Sequence, residues 1–261
     1  MAPTEVSIVI PCFNEGAKLQ DNVAEVCRVM HASGRPFELI FVEDCSTDDT
    51  RATVEGLVAS IENARAIYHE RNVGRGGTFM DGARIARGEI VGYLDIDLEV
   101  PAAHLTDVLK ALETCDVALV DRHYRLTRSP VFLLRHFLSA GYKRLVRRYI
   151  GMPYADSETG FKFFRRAALY RIMDRTRDRH WFWDTEIMML AHLSGLRVRE
   201  VPGIFVKRKD KASTVKIVSD TIGYVRALRE FKKRLDNEGH RLLASEPVQS
   251  GDQETVPATL R

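Results

Sequence analysis

Short apolar runs alternate with amphipathic segments through the first half of the chain. The runs hold four to six residues and are rich in β-branched side chains, which is typical of buried strands. The segments between them repeat their apolar residues at helical spacing. Strands are predicted at Val6–Ile10, Phe37–Val42, Ala64–His69, Glu89–Leu94 and Val117–Val120, and helices at Gly16–Met30, Thr50–Ile61, Gly76–Arg87 and Pro101–Leu112. This order predicts an α/β fold, with a mostly parallel central sheet and helices on both faces.

The pattern changes after Val120. A basic amphipathic helix is predicted at about residues 129–150, because Ser129 and Pro130 suit a helix start. Further elements are predicted at Phe161–Phe164 (strand), Trp183–Leu193 (helix), Val198–Val201 (strand) and Thr221–Leu235 (helix). We therefore expect one domain over residues 1–214, a C-terminal amphipathic helix over 215–238 and a disordered polar tail over 239–261.

Charge is unevenly distributed. The formal net charge is +3, yet residues 122–155 hold eight Lys or Arg and no Asp or Glu. Such a stretch is either a solvated basic helix packed on the core or an interfacial helix on anionic lipid. The absence of acids favours the second interpretation. A nucleic-acid surface is not expected, because aromatic residues are not interleaved with the cations and the candidate site is acidic.

The remaining composition excludes several classes of protein. The four cysteines form no CxxC pair or Cys/His cluster, which argues against zinc and favours a reducing compartment. The N-terminus has no signal-peptide pattern, and no run approaches the ~18 apolar residues of a membrane span. These features predict a cytoplasmic protein, with any membrane association peripheral.

The segment Asp95-Ile96-Asp97-Leu98-Glu99 is the most informative local motif. If the strand continued, side-chain alternation would point its three carboxylates to one side. Carboxylate oxygens suit Mg²⁺ or Mn²⁺, which commonly bind one or two carboxylates together with substrate phosphates. The position after a buried strand therefore predicts a metal site.

Two more segments follow predicted strands. Glu43 and Asp44 end the second strand, where a carboxylate could accept hydrogen bonds from a nucleobase or a ribose, and the following residues could cap a helix. The glycine loop Asn72–Gly77 does not match a dinucleotide fingerprint, because the third glycine would fall at Phe79. It could still contact phosphate through backbone N–H groups and Arg75.

Taken together, these segments resemble the family 2 glycosyltransferases, and in particular the dolichyl-phosphate mannose synthase-like and polyprenyl-phosphate branch. The resemblance covers roughly Val6 to Lys216 and rests on motifs in a fixed order. Within the second motif, Glu43 replaces an Asp, while Cys45 and Asp49 replace glycines. The matching segments are Ile10–Glu15, Val42–Thr50, Asn72–Gly77, Asp95–Glu99, Asp121–Tyr124, Asp156–Phe164, Trp183–Glu186 and the loop containing Arg208.

The resemblance implies a GT-A-type fold and a role for each matching residue. Donor-binding residues would be Pro11, Asn14, Glu15, Glu43, Asp44, Arg75, Asp95, Arg208 and Lys211, with either Lys211 or Lys216 replacing a lysine that the family carries at the end of this loop. Asp95, Asp97 and Glu99 would hold Mg²⁺ or Mn²⁺, and Arg122, Arg135 and Ser139 would hold an acceptor phosphate. Asp97 and Arg208 would be catalytic, joined by Asp184 or Glu186 as base if the acceptor is a hydroxyl.

The expected activity is inverting transfer of a sugar from a nucleotide diphosphate, such as GDP-mannose or a UDP-sugar, to a polyprenyl or dolichyl phosphate. The alternative within the family is a hydroxyl acceptor. A binding module that has lost catalysis would be expected to lack Asp97 or Arg208, and both are present. A nucleotidyltransferase would carry a glycine-rich loop with lysine after the first strand, where Pro11 to Glu15 stand instead.

Overall fold

The computed structural model describes residues 3–124, 141, 144–206 and 217–243. The strands are β1 (Val6–Cys12), β2 (Phe37–Glu43), β3 (Ala64–Tyr68), β4 (Ile90–Leu94), β5 (Val117–Tyr124), β6 (Phe161–Arg165) and β7 (Val198–Phe205). The α-helices are α1 (Gly16–Ser33), α2 (Thr50–Ser60), α3 (Arg75–Ile85), α4 (His104–Ala111), α5 (144–150), α6 (Arg166–Tyr170), α7 (Trp183–Leu193) and α8 (Ile217–Leu243), with a 3₁₀ turn at Met173–Arg175.

A single seven-stranded sheet has the order β3-β2-β1-β4-β6-β5-β7. Strand β6 runs antiparallel to both of its neighbours, and the other strands all run in one direction. The carboxyl ends of β1, β2, β4 and β5 therefore lie along one edge of the sheet. In open α/β sheets this edge is where ligands bind.

Helices cover both faces, as the alternation of strands and helices predicts. On one face Ile8 and Ile10 of β1 pack with α1, α2 and α4. On the other face Val9 packs in a second cluster with α3, α7 and α8. Adjacent residues of β1 thus point to opposite cores, as the two-residue repeat of a strand requires.

Strands β5 and β7 are longer than the sequence predicts. Strand β5 continues through Arg122 to Tyr124, and β7 continues through Pro202 to Phe205. Proline is tolerated in β7 because this strand lies at the edge of the sheet and pairs only with β5. The extension carries Arg122 to the edge where ligands are expected.

The C-terminal helix α8 also exceeds its predicted bounds, running from Ile217 to Leu243. Leu228 and Phe231 are buried in the second core cluster, and Phe231 packs edge-on against Phe182 with ring centroids 5.7 Å apart. Helix α8 is therefore part of the domain's core. No helix in the described ranges is both long enough and apolar enough to cross a bilayer.

Replacing Phe231 with alanine should show that α8 stabilises the domain. Truncating a buried phenylalanine costs about 3–5 kcal/mol of unfolding free energy, through lost burial and the cavity left behind. Ile222 lies on the same helix with 60% of its surface exposed, so Ile222→Ala should change stability by less than about 0.5 kcal/mol. Urea unfolding of the two variants and the wild type measures both values. Equal stability of the two variants would contradict the packing of α8 on the core.

Candidate active site

The loops that leave β1, β2 and β4 share an unusual backbone feature. Each contains a non-glycine residue with positive φ: Asn14 (56°), Cys45 (62°) and Leu98 (51°). Residues other than glycine rarely adopt positive φ, and those that do cluster at functional sites. Cys45 stands where the resembling family has glycine, so this chain retains the conformation without the residue that adopts it most easily.

The β1 and β2 loops are joined by side-chain hydrogen bonds. The Oδ1 of Asn14 accepts from the Thr47 amide at 2.9 Å, and the Asn14 amide donates to Ser46 Oγ at 3.1 Å. The Glu15 amide donates to Thr50 Oγ1 at 2.7 Å. Pro11, which the sequence placed in the donor site, lies inside β1 and pairs with Val42. This part of the predicted donor site is therefore a double loop, in which the loop after β1 and the loop after β2 are joined by hydrogen bonds.

Glu43 is fully buried at the end of β2. Its Oε1 accepts a hydrogen bond from the Ser46 amide at 2.6 Å. Its Oε2 has no hydrogen-bond partner among the described residues. A buried carboxylate oxygen without a donor carries a desolvation cost, so the position is suited to accepting a hydrogen bond from a ligand.

Asp44, also buried, holds the next loop in place. Its carboxylate accepts hydrogen bonds from the amides of Val73 at 2.8 Å and Gly74 at 3.0 Å, and contacts His69 Nδ1 at 2.8 Å. The sequence predicted that Asp44 would bind the nucleotide. In the structure both carboxylate oxygens accept hydrogen bonds from protein donors, which anchor the start of α3 to the end of β2. Contact with a nucleotide stays a prediction.

The glycine loop packs closely against residues 178–183, and three of its backbone amides are bonded within the protein. The Gly77 amide donates to the Arg179 carbonyl at 2.9 Å, while the amides of Val73 and Gly74 bind Asp44. A Cβ on Gly76 would lie 2.6 Å from the Trp183 side chain. Because Gly76 and Gly77 have no side chain, the start of α3 can lie directly against the chain at residues 178–183.

Arg75 begins α3 and forms an ion pair with Asp95. Its Nη2 lies 3.0 and 2.8 Å from the two carboxylate oxygens, and the Tyr93 hydroxyl donates to Oδ1 at 3.0 Å. Burial lowers the pKa of Arg75, but Asp95, Tyr93 and Asp184 together more than offset this and hold the pKa well above its ordinary value. A Cβ on Gly160 would lie 1.7 Å from Asp95 Oδ2, so glycine is needed beside this carboxylate.

The metal motif is a turn, which corrects the alternation argument made from the sequence. Strand β4 ends at Leu94, and Leu98 has positive φ. Asp97 Oδ1 accepts a hydrogen bond from the Glu99 amide at 3.2 Å. The three carboxylates still line one small cleft, whose walls are Asp95, Asp97, Glu99, Val100, Arg122, Gly160 and Phe205.

Within the described residues, no three His, Cys, Asp or Glu side chains form a ready-made metal cage. Asp97 and Glu99, which line the same cleft as the ion pair of Asp95 with Arg75, are the candidate ligands for an ion. This pair fits Mg²⁺ or Mn²⁺, since these ions commonly take one or two protein carboxylates and complete their shell with phosphate oxygens and water.

Arg122 enters the cleft from β5 in a fixed orientation. Its Nε and Nη2 donate to the two oxygens of the buried Asp156 at 2.6 and 2.9 Å, and its amide donates to the same carboxylate at 3.2 Å. Its guanidinium lies over the Phe205 ring at 5.9 Å. A bidentate pair of this kind orients the planar cation strongly.

Both carboxylates proposed as bases are buried at the start of α7. Asp184 pairs with Lys162, which is fully buried and lies over the Trp183 ring at 4.9 Å. Glu186 accepts hydrogen bonds from the amides of Arg177 and Asp178 and from Arg234 at 2.5 Å. These contacts favour structural roles for both acids.

The remaining predicted residues lie outside the described ranges: Arg135, Ser139, Arg208 and Lys211. Conversely, the sequence did not single out His69, Lys162 or Trp181. Lys162 had a detectable signal, because a lysine among phenylalanines in a buried strand requires a buried partner. His69 and Trp181 had none, since their partners lie far away in sequence.

Comparison with known proteins identifies the class to which this fold and site belong. The sequence profile of glycosyl transferase family 2 matches residues 7–173, so the chain belongs to this family. Glycosyltransferase AglD of Haloferax volcanii is 31% identical over 228 residues, covering 85% of this chain and 36% of the relative. The dolichyl-phosphate beta-glucosyltransferase of Saccharomyces cerevisiae is 26% identical over 218 residues, covering 76% and 65%. The chain thus spans less than two thirds of either relative.

The architecture is the GT-A fold. Glucosyl-3-phosphoglycerate synthase from Mycobacterium tuberculosis, solved with Mn²⁺, UDP-glucose and phosphoglyceric acid, superimposes with a TM-score of 0.63. The two chains are 18% identical, and the match covers 89% of this chain and 80% of the synthase. At this identity the likeness establishes the fold.

His69 should make stability depend on pH. Hydrogen bonds to Asp44 and Asp81 raise its pKa from 6.5 to about 9. Because the folded-state pKa is the higher one, this stabilisation is complete below about pH 6.5 and is lost as the pH rises through about 9. His69→Gln should cost on the order of 2 kcal/mol near pH 6 and much less near pH 9.5.

Urea unfolding of wild type and variant at these two pH values tests the effect. Ile222→Ala, which removes no ionisable group from an exposed position, is the control and should have the same effect on stability at both pH values. If the His69→Gln deficit is as large at high pH as at low pH, the ring is not held as a cation between the two carboxylates.

Proposed function

We propose that the protein is an inverting glycosyltransferase that moves a sugar from a nucleotide diphosphate to a polyprenyl phosphate at the cytoplasmic face of a membrane. The observation that carries the proposal is the acidic cleft at the end of β4, which Arg122 enters from β5. In a family 2 chain, a cleft with carboxylates on one side and an arginine on the other supports binding of a metal-bound diphosphate next to a second anion. The yeast relative, named for a dolichyl-phosphate acceptor, supports the choice of acceptor.

The donor diphosphate would lie over Asp97 and Glu99. A bound Mg²⁺ or Mn²⁺ would supply the positive charge that stabilises the leaving diphosphate. Mn²⁺ in the mycobacterial synthase with UDP-glucose supports a divalent ion. Arg75, with 25% of its side chain exposed, would stand beside the diphosphate, and Arg208 and Lys211 remain proposed donor contacts from the sequence.

The nucleoside would lie at the ends of β1 and β2. There the unpartnered Oε2 of Glu43 can accept an N–H from the base. Asp44 would act indirectly in this arrangement, by holding the loop that carries Arg75. Asn14 and Glu15 would likewise shape the pocket through the double loop rather than contact the donor strongly.

The acceptor would approach Arg122, with Arg135 and Ser139 as further proposed contacts. A lipid phosphate is already an anion, so it can attack the anomeric carbon without a strong general base. The buried pairs of Asp184 with Lys162 and of Glu186 with Arg234 agree with a reaction that uses neither acid as a base. A hydroxyl acceptor would need one of them to be released from its partner.

Helix α5 supports a membrane-facing surface. Val146 and Ile150 pack into the core, while Arg144, Arg147 and Arg148 are exposed together with Leu145 and Tyr149. Exposed cations interspersed with apolar side chains suit anionic lipid headgroups, where each cation contributes about 1 kcal/mol. The short helix would position the acceptor site near the lipid surface.

Asp97→Ala should abolish sugar transfer in a protein that still folds. The lost carboxylate removes a proposed metal ligand, so activity should fall about 100-fold or more and EDTA should mimic the variant. Asp107→Ala on α4, where the carboxylate is 61% exposed, is the matched control and should keep full activity. Transfer that survives both Asp97→Ala and excess EDTA would refute the metal-dependent mechanism.

Two matched acceptors should distinguish sugar transfer to a phosphate from sugar transfer to a hydroxyl. With a short polyprenyl phosphate the enzyme should form product, whereas the corresponding polyprenol should give none, because the two proposed bases, Asp184 and Glu186, are held in ion pairs with Lys162 and Arg234. Product formation is measured by mass spectrometry with a panel of UDP- and GDP-sugars. Efficient transfer to the polyprenol, with none to the phosphate, would contradict the acceptor assignment and favour the hydroxyl alternative.

A further inference from the structure

Trp181 is a solvent-exposed indole held at the edge of the site. It keeps 36% of its surface exposed, whereas Trp183, two residues later, is fully buried. The Arg75 guanidinium lies over the Trp181 ring at 5.0 Å and over the Tyr93 ring at 5.4 Å. The same guanidinium forms the ion pair with the Asp95 carboxylate, with Nη2 at 2.8 Å from Oδ2. An exposed aromatic surface of this size, next to a polar site, is a recurrent feature of ligand-binding surfaces.

The turn that displays Trp181 is rigidly built. Glu186 accepts the amides of Arg177 and Asp178 at 3.0 and 2.7 Å on one side of it. The Asp178 carboxylate accepts the amides of His180 and Trp183 at 2.9 and 3.1 Å on the other. The ring is therefore presented in a fixed place, at little further entropic cost on binding.

The position of Trp181 along the sheet edge indicates which part of the donor it would contact. Its partner Arg75 bonds to Asp95 at the end of β4, whereas the proposed base contact, Glu43, ends β2, two strands away in the sheet. Arg122, the proposed acceptor contact, comes from β5 on the opposite side of β4. The indole thus borders the region between nucleoside and acceptor, where the transferred sugar must lie.

We propose that Trp181 is a platform for the donor sugar: one face of the indole rests on Arg75 and the other packs against the C–H face of the hexose. The inference rests on the proposed function and adds a residue that selects the sugar part of the donor. A pyranose presents C–H groups on one face and hydroxyls at its rim. The apolar indole complements the first, and the neighbouring Arg75 and Asp95 complement the second.

The test compares each nucleotide sugar with its own nucleoside diphosphate. Calorimetry with Mn²⁺ measures dissociation constants for UDP-glucose against UDP and for GDP-mannose against GDP. In the wild type the sugar should add affinity to one of the two nucleotides. Trp181→Ala should weaken that nucleotide sugar about five- to tenfold, the loss of one aromatic contact, and leave the nucleoside diphosphate unchanged.

Two further variants keep the result interpretable. Trp181→Phe retains an aromatic face and should recover most of the lost affinity. Tyr170→Ala removes an aromatic residue that is 42% exposed on α6, outside the site, and should bind both ligands like the wild type. Because Trp183 is buried, quenching of tryptophan fluorescence by the nucleotide sugar should disappear in Trp181→Phe.

Equal weakening of nucleotide sugar and nucleoside diphosphate in Trp181→Ala would place the indole against the nucleoside and overturn the sugar platform. Unchanged binding of both ligands would overturn it as well. Wild-type protein that binds neither UDP nor GDP would instead refute the proposed function, and the platform with it.

Discussion

The ion pair between Arg75 and Asp95 is the contact on which the geometry of the site depends. Asp95 follows the last residue of β4, where its amide donates to the Gly160 carbonyl at 2.8 Å before the chain turns. Its carboxylate is fixed by the guanidinium, by the Tyr93 hydroxyl and by the close approach of Gly160. Because one of the three acids is thereby neutralised, Asp97 and Glu99 face the cleft with less mutual repulsion than three unpaired carboxylates would have.

Arg75 can reach Asp95 only because its own loop is held from two sides. Asp44 binds the amides of Val73 and Gly74, and the glycines that follow allow contact with residues 178–183. The end of β2, the start of α3 and the start of α7 therefore form one unit. A change at Asp44 would displace Arg75 without touching any ligand, so a loss of nucleotide affinity there would not by itself place Asp44 in the base pocket.

The sequence predicts the fold well and the site only in outline. The alternation of strands with helices and the residues at strand ends are local patterns. They predicted the edge of the sheet along which Glu43, Asp97 and Arg122 lie. The orientation of side chains is not local: the prediction for Asp95 assumed that β4 continued, whereas the chain turns at once. Likewise, Glu186 forms its ion pair with Arg234, which is 48 residues away on α8. The sequence does not reveal where α8 packs.

The charges of four neighbouring side chains balance one another, which explains how the protein tolerates a buried acid near a site proposed to bind anions. Lys162, Asp184, Arg75 and Asp95 interact electrostatically with one another, and their formal charges sum to zero. Burial lowers the pKa of Lys162 while the facing Asp184 opposes that shift. Without this lysine, Asp184 would be an uncompensated buried charge, a situation that costs about 3–5 kcal/mol and would add negative potential beneath a diphosphate. The pair therefore serves binding as well as stability, since it keeps the floor of the site neutral where the proposed donor and acceptor both bring negative charge.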